Sequence, residues 1–277
     1  MTSFSIPANG LDLRLTAAPV AWGKGKWPSV SWQCGRLDWC AVAEGEARLN
    51  QVAQPSPESL LDAGLPSEQS AREWLTRSLG WGRTTPEHSD PVLARIASNA
   101  AGLRPYASGS LAQGIITSII GQSITVQAAA VTERRVLSMF HPGISNGDRL
   151  LYPFPDLADL ANAEPAQIRP SGVTWRRADA IVAIARIALD GGLPSDDAAR
   201  RDPDEAMRAV RALPLVGPWT AASALLWGLG SDDAHPTGDV ALLRAAKRAY
   251  DRPDMILRDL DKLAEAWKPW RGWAARL

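Results

Sequence analysis

At 277 residues, with 45% apolar and 22% charged side chains, the chain has an ordinary globular composition and is long enough for one large domain or two to three small ones. Thirty basic side chains balance thirty acidic ones, which excludes a protein that coats nucleic acid through a general basic surplus; contact with a polyanion must come from a local patch or from backbone amides. Cys34 and Cys40, the two cysteines, exclude a disulfide framework and a four-cysteine zinc or iron–sulfur site built from this chain alone. The amino terminus, MTSFSIPANGLDLRL, lacks a basic segment followed by an apolar core, and no apolar run approaches the roughly 20 residues that span a bilayer. The expectation is a cytoplasmic protein without membrane contact.

Residues 1–53 alternate between apolar and polar side chains in LDLRLTA and, more loosely, in VSWQCGRLDWCAVAEGEARLNQV. This pattern predicts a small antiparallel sheet, with Trp22, Trp27, Trp32 and Trp39 packed on one of its faces. From Pro55 to Leu103 the pattern turns helical. SPESLLDAGL has a Ser cap and a Gly stop, and PSEQSAREWLTRSLGWG ends at Gly80. SDPVLARIASNAAGL starts from Ser89 with Pro91 in its first turn. TTPEHSD reads as an exposed link carrying a solvated His88.

SGSLAQGIITSIIGQSITVQAAAVTERRVLSMF is a long apolar segment interrupted around Gly121–Thr125, and Leu111, Ile115, Ile116, Ile119 and Ile120 mark one face of a buried helix. FPDLADLANAEPAQIRPSGVTWRRADAIVAIARIALDGG reads as two short helices and a longer one, capped near Thr174 and stopped at Gly191–Gly192. Arg176 and Arg177 head that helix, as a solvated pair or as phosphate contacts.

Pro203–Tyr250 has the strongest punctuation. Asp204 is a candidate N-cap for EAMRAVRAL, and that helix stops at Pro214. Gly217 suits a turn, Pro218 opens a second helix, WTAASALLWGLG, and the helix ends at Gly228–Gly230. The result is a helix, a tight hairpin and a helix, with amides around Leu215, Gly217 and Thr220 at the positive end of the second helix. Such amides bind anions, phosphate above all. After the loop SDDAHPTG, Asp239 opens VALLRAAKRAY, either as a plain helix cap or as a carboxylate held near the hairpin. No internal repeat or low-complexity tract occurs.

Together, LPLVGPWTA and HPTGD resemble the helix-hairpin-helix (HhH-GPD) DNA glycosylases, in particular the bacterial 3-methyladenine glycosylase II type. GQSITVQAAA and WKPWR continue the resemblance, which covers roughly Arg104 to Leu277. With the sheet pattern, it implies an α+β, mostly helical fold: a small amino-terminal antiparallel sheet domain (1–85), then two helical lobes carrying the helix-hairpin-helix and flanking a DNA cleft (86–277). The implied partner is double-stranded DNA containing damaged bases, bound by a monomer. The implied activity is monofunctional hydrolysis of the N-glycosidic bond of alkylated bases, 3-methyladenine and 7-methylguanine among them, in base excision repair. Two alternatives stand beside it: the same mechanism on hypoxanthine, uracil or oxidised guanine, and a non-catalytic damage binder that uses the hairpin alone.

The resemblance also assigns roles. Asp239 becomes the catalytic carboxylate that stabilises oxocarbenium character on the sugar; whether it also orients or deprotonates the water stays open. Trp219 occupies the position of the Schiff-base lysine of bifunctional members, so it removes that nucleophile and offers a ring to stack on an electron-poor base. Ser223 stands where members of the type place a pocket tyrosine, and the sequence given stops at Leu277, before a further pocket aromatic. The expected pocket is therefore less aromatic, or filled by a tryptophan from the first sheet. Leu215, Gly217 and Thr220 contact phosphate. Gln122 and Ser123 take the position that enters the gap left by a flipped base; serine is a poor wedge, so Gln122 or Ile124 takes over, or the wedge comes from elsewhere. The carbonyls of Arg211, Leu213 and Val216 match those that hold a monovalent cation, Na⁺ or K⁺; no other cofactor, and no iron–sulfur cluster, is expected. His235 supports Asp239, contacts DNA or does neither. Trp267 and Trp270 pack the helical region.

Overall fold

The computed structural model describes residues 3–43 and 45–277. Alternating apolar side chains build five strands: β1 (Ser3–Ile6), β2 (Val30–Gln33), β3 (Arg36–Ala43), β4 (Glu46–Ala53) and β5 (Leu61–Gly64). They form one antiparallel sheet in the order β1-β5-β4-β3-β2, with Leu37 opposite Val52 and Trp39 opposite Asn50. Ile6, Leu37, Val52, Leu61 and Ala63 are fully buried on its inner face. Helix α1 (Glu68–Leu79) covers that face with Ala71, Leu75 and Leu79, and Trp74 stacks on Trp39 at 3.6 Å between ring centroids.

Two segments differ from the pattern-based expectation. LDLRLTA is a helical turn, Leu13–Thr16, because Asp12 caps it by accepting from the amide of Leu15 at 3.0 Å. SPESLLDAGL is not a helix. Its Leu61–Gly64 portion fills the slot between β1 and β4, where Leu61 and Ala63 on one face complete the core. Tertiary pairing overrides local propensity in both directions.

The helical region follows expectation more closely. Its main elements are α2 (Pro91–Ser98), α3 (Leu111–Gly121), α4 (Val126–Leu137), α5 (Trp175–Leu189), α6 (Pro203–Arg211), α7 (Pro218–Ser223), α8 (Val240–Ala249) and α9 (Leu257–Glu265). The caps shift by a residue or two: Asp90 and Asp202, each followed by proline, start α2 and α6 in place of Ser89 and Asp204. Helix α3 is the axis of the larger core, where its buried isoleucines meet Ala178 and Ile181 of α5 and Ala224 and Leu225 beyond α7. A second helical core joins Leu93 of α2 to Ala246 of α8 and to Met255, Leu260 and Trp267. Trp267 is buried as expected, with its indole N–H donating to Tyr250. Among the described residues no single helix is long and apolar enough to cross a membrane; α3 and α4 would qualify only as a pair, and they meet at 117°.

A hairpin that pattern reading missed, Ile144–Asn146 with Arg149–Leu151, ties the sheet to the helices. Its Asn146 donates to Ser31 Oγ (3.0 Å) and to the buried Asp38 carboxylate (3.1 Å), and the Tyr152 amide donates to the carbonyl of Pro28.

Candidate DNA-binding and active site

Helix α6 ends at Arg211, and α7 begins at Pro218 with Gly217 as N-cap. The residue that turns the chain is not the glycine. Leu215 takes the left-handed conformation, φ 59°, while Gly217 is extended at φ −84°, ψ 179°. A non-glycine residue in that region costs roughly 1–3 kcal/mol and persists only where its surroundings hold it. Here Gln122, at the end of α3, holds it: its side-chain amide donates to the carbonyl of Leu215 and to Thr220 Oγ, both at 2.9 Å. Gly217 has no side chain to cap the first amides of α7, and its own position is exposed. A methyl group at Gly217 would meet nothing within 4 Å, so the surface there is open to an incoming group.

Beyond Ser223 the helix widens into a π-helical turn, Ala224–Gly228. Gly114 of α3 and Gly228 meet there with almost no space between them: a Cβ on Gly114 would lie 2.9 Å from the Cα of Gly228 and 2.7 Å from the carbonyl oxygen of Ala224. This close approach fixes where α7 presents its side chains.

Twenty residues after Trp219, the chain returns. Asp239 is the N-cap of α8, and its Oδ1 accepts from the Leu242 amide at 2.8 Å. Its Oδ2 accepts from the indole N–H of Trp219 at 2.9 Å. Both readings of Asp239 therefore hold at once: the residue caps a helix, and it stands at the mouth of the hairpin. Asp239 and Trp219 are both half-buried. Ser223, one turn after Trp219 on α7, is buried at 3% exposure.

In the α3–α4 loop, Ser123 is exposed on left-handed backbone (φ 59°) and Ile124 is 41% exposed. Arg177 is not a solvated partner of Arg176. Its Nη2 donates to the carbonyl of Gln122 at 2.6 Å, which binds α5 to the loop, while Arg176 faces solvent. His235 turns away from the cleft: its ring is buried edge-on to Trp267, with Nε2 bonded to Asp261 at 2.9 Å. His88 is half-buried, with Nε2 closed off from solvent, and burial lowers its pKa below the usual value. Leu213 and Leu215 pack on the larger core, and the Leu213 carbonyl accepts from the Val216 amide at 3.3 Å. Among the described residues no group of three or more His, Cys, Asp and Glu side chains forms a metal cluster.

The hairpin, Asp239 and most of the helices around them fall within one matched segment. Residues 116–271 match the family model of the HhH-GPD superfamily base excision DNA repair proteins, more than half of the chain. The chain belongs to that superfamily. DNA-3-methyladenine glycosylase 2 of Escherichia coli is 30% identical over 190 residues, covering 68% of this chain and 64% of that protein. A DNA-3-methyladenine glycosylase of Bacillus subtilis is 25% identical over 191 residues, covering 67% of this chain and 60% of its own length. The matched region thus spans somewhat less than two thirds of these relatives. The fold is also that of the 3-methyladenine DNA glycosylase of Archaeoglobus fulgidus, with a TM-score of 0.78 and 19% identity over 100% of this chain and 96% of that one. An 8-oxoguanine glycosylase/lyase of Clostridium acetobutylicum has the same fold, with a TM-score of 0.75 at 16% identity, covering 97% of this chain and 92% of that one.

Within this HhH-GPD protein one tryptophan of the sheet region does reach the helices. Trp22 ends a helical turn, Ala18–Trp22, rather than a strand, and is 45% exposed. Its ring sits edge-on to Trp227 at 5.3 Å, and its carbonyl accepts from Gln127 of α4 at 3.0 Å. Trp22, Tyr106, Trp227 and Arg276 line one recess; Trp219 and Asp239 do not. The Arg276 guanidinium lies 5.0 Å from the Trp227 ring centre, donates to the carbonyls of Leu226 and Gly272, and has its pKa lowered to about 9 by burial. The composition of SALLWG gave no sign of the wide turn or of this layering. The role of Gln122 as a brace was hidden because its partners lie 93 and 98 residues away.

Proposed function

We propose that the protein is a monofunctional DNA glycosylase that hydrolyses the N-glycosidic bond of alkylated purines, 3-methyladenine and 7-methylguanine, in duplex DNA. The contact between Trp219 and Asp239 carries this reading: an indole N–H and a carboxylate oxygen, 2.9 Å apart, stand beside a hairpin whose N-cap residue, Gly217, is exposed. The amides of Leu215, Gly217 and Thr220 bind backbone phosphate, a contact that positions the duplex without reading its sequence. A nucleotide rotated out of the stack places its base against Trp219 and its sugar near Asp239. As the C1′–N bond lengthens, positive charge grows on the sugar, and the Asp239 carboxylate stabilises it. Water then adds to C1′. An alkylated purine already carries positive charge, so it leaves without an acid to protonate it and stacks favourably on an indole.

The names of the sequence relatives favour alkylated bases over the other damaged bases. Trp219 has no amine with which to attack C1′, which favours hydrolysis over lyase chemistry. The carbonyls of Arg211, Leu213 and Val216 are hard oxygen donors of the kind an alkali cation takes, and a Na⁺ or K⁺ held there would add positive charge beside the phosphate. We take the sheet region, 1–85, and the helical region, 86–277, as the units that close on the DNA, in a protein acting as a monomer.

The reading is tested with methylated duplex DNA. Free methylpurine should appear in the supernatant, with strand breaks only after alkali, and borohydride should trap no covalent complex. Breaks before alkali, or a trapped complex, would contradict the monofunctional assignment.

A further inference from the structure

The loop between α3 and α4 is poorly equipped to fill a hole in a base stack. Gln122 commits its amide to the hairpin, and Ser123 offers only a hydroxymethyl group. Ile124 alone supplies apolar bulk there. Turning a nucleotide out of a duplex unstacks its neighbours, and the hole must be filled or held open. A flat aromatic ring can do this on any sequence, because every base has a face to stack on it.

Such a ring stands on the element bound to the loop. Trp175, the first residue of α5, is 55% exposed, more than any other exposed large hydrophobic side chain among the described residues. Its helix is fixed to the loop through Arg177, two residues on, whose guanidinium donates to the Gln122 carbonyl at 2.6 Å. Gln122 in turn holds the hairpin, so the phosphate anchor, the loop and the start of α5 form one braced unit. Arg176, exposed next to Trp175, and the positive end of the 15-residue helix give this surface the charge that suits a polyanion. Trp175 belongs to none of the three hydrophobic cores of the described residues.

We propose that Trp175, with Ile124 on the linked loop, enters the DNA base stack when the damaged nucleotide is turned out, and so does the work for which Ser123 is too small. This rests on the glycosylase reading above. In the test, the full-length protein, Trp175→Ala, Trp175→Phe and Leu189→Ala are compared for release of methylpurine from a methylated duplex and from the same strand alone. Leu189 is a similarly exposed apolar residue at the other end of α5. Trp175→Ala should slow release from the duplex on the order of 10- to 100-fold and leave release from the single strand unchanged. Trp175→Phe should recover most of the loss, and Leu189→Ala should match the parent. An unchanged duplex rate in Trp175→Ala, or an equal loss on both substrates, would overturn the proposal. If the parent released no base from either substrate, the glycosylase reading would fail instead. Preference for a duplex carrying a stable abasic-site analogue over an intact duplex would then decide: its loss in Trp175→Ala supports the wedge, and its retention overturns it.

Discussion

Glu133 carries a cost that the fold accepts. It lies on the buried face of α4 at 5% exposure, with Thr117 Oγ donating to it over a long 3.4 Å. Burial raises its pKa from the ordinary carboxyl value to about 7. Between about pH 4.5 and 7 the folded protein keeps a proton that the unfolded chain has released, so stability falls as pH rises through that window and levels off above it, by about 3 kcal/mol at most. Glu133→Gln should flatten the profile and be the more stable protein at pH 8. Thermal unfolding across pH 4.5 to 8 checks this, and parallel curves would contradict it. Gln122 is the opposite case, a polar side chain that stabilises. Gln122→Ala removes both hydrogen bonds that hold the left-handed Leu215 and should cost about 1–3 kcal/mol, with weaker DNA binding of every sequence. Chemical denaturation and a binding titration would show the two losses together. Neither role was visible in sequence: nothing in TERRVL marked Glu133 as buried, and Gln122 read as a candidate for the gap left by a flipped base and not as a brace of the hairpin.

At the scale of elements, the hairpin was readable because proline and glycine limit the backbone so strongly. L-P-x-x-G-P admits few structures other than a turn between two helices. What was not readable is which residue makes the turn. Leu215 takes the left-handed conformation because Gln122 and the core hold it, and Gly217 has open space where a side chain would stand. Gly217→Ala should therefore fold and melt like the parent while binding DNA more weakly. A lowered melting temperature would show that the glycine serves the fold instead. Gly114→Ala should behave differently. Its new methyl group would collide with the backbone of the π-helical turn, costing about 1–3 kcal/mol and displacing α7, so stability and base release should fall together. The misread segments share a cause: LDLRLTA and SPESLLDAGL are short, and the partner that decided each of them, a capping aspartate or a vacant sheet position, lay outside the pattern being read.

Across the whole molecule, a zero net charge and a neutral sheet region mean that, on the proposed function, DNA contact falls to the braced hairpin surface. The sheet matters by staying attached. Asn146 links the Ile144–Asn146 hairpin to Ser31 and to the buried Asp38, which Arg36 also pairs at 2.7 Å. Asn146→Ala should lower stability by about 1–3 kcal/mol by leaving the Asp38 carboxylate short of a donor, while base release per folded molecule stays near the parent's. The order of architecture, sheet first and helices after, was legible from periodicity and from the hairpin motif. The attachment was not, because Asn146 and Asp38 are 108 residues apart.

On the proposed mechanism, Asp239, brought against Trp219 by the fold, drives cleavage of the glycosidic bond. The most direct measurement is single-turnover release of methylpurine from methylated duplex DNA by the parent protein and by Asp239→Asn at matched DNA occupancy. Asp239→Asn should bind the duplex as tightly as the parent and release base on the order of 100- to 1,000-fold more slowly. Equal release by the two proteins would contradict it.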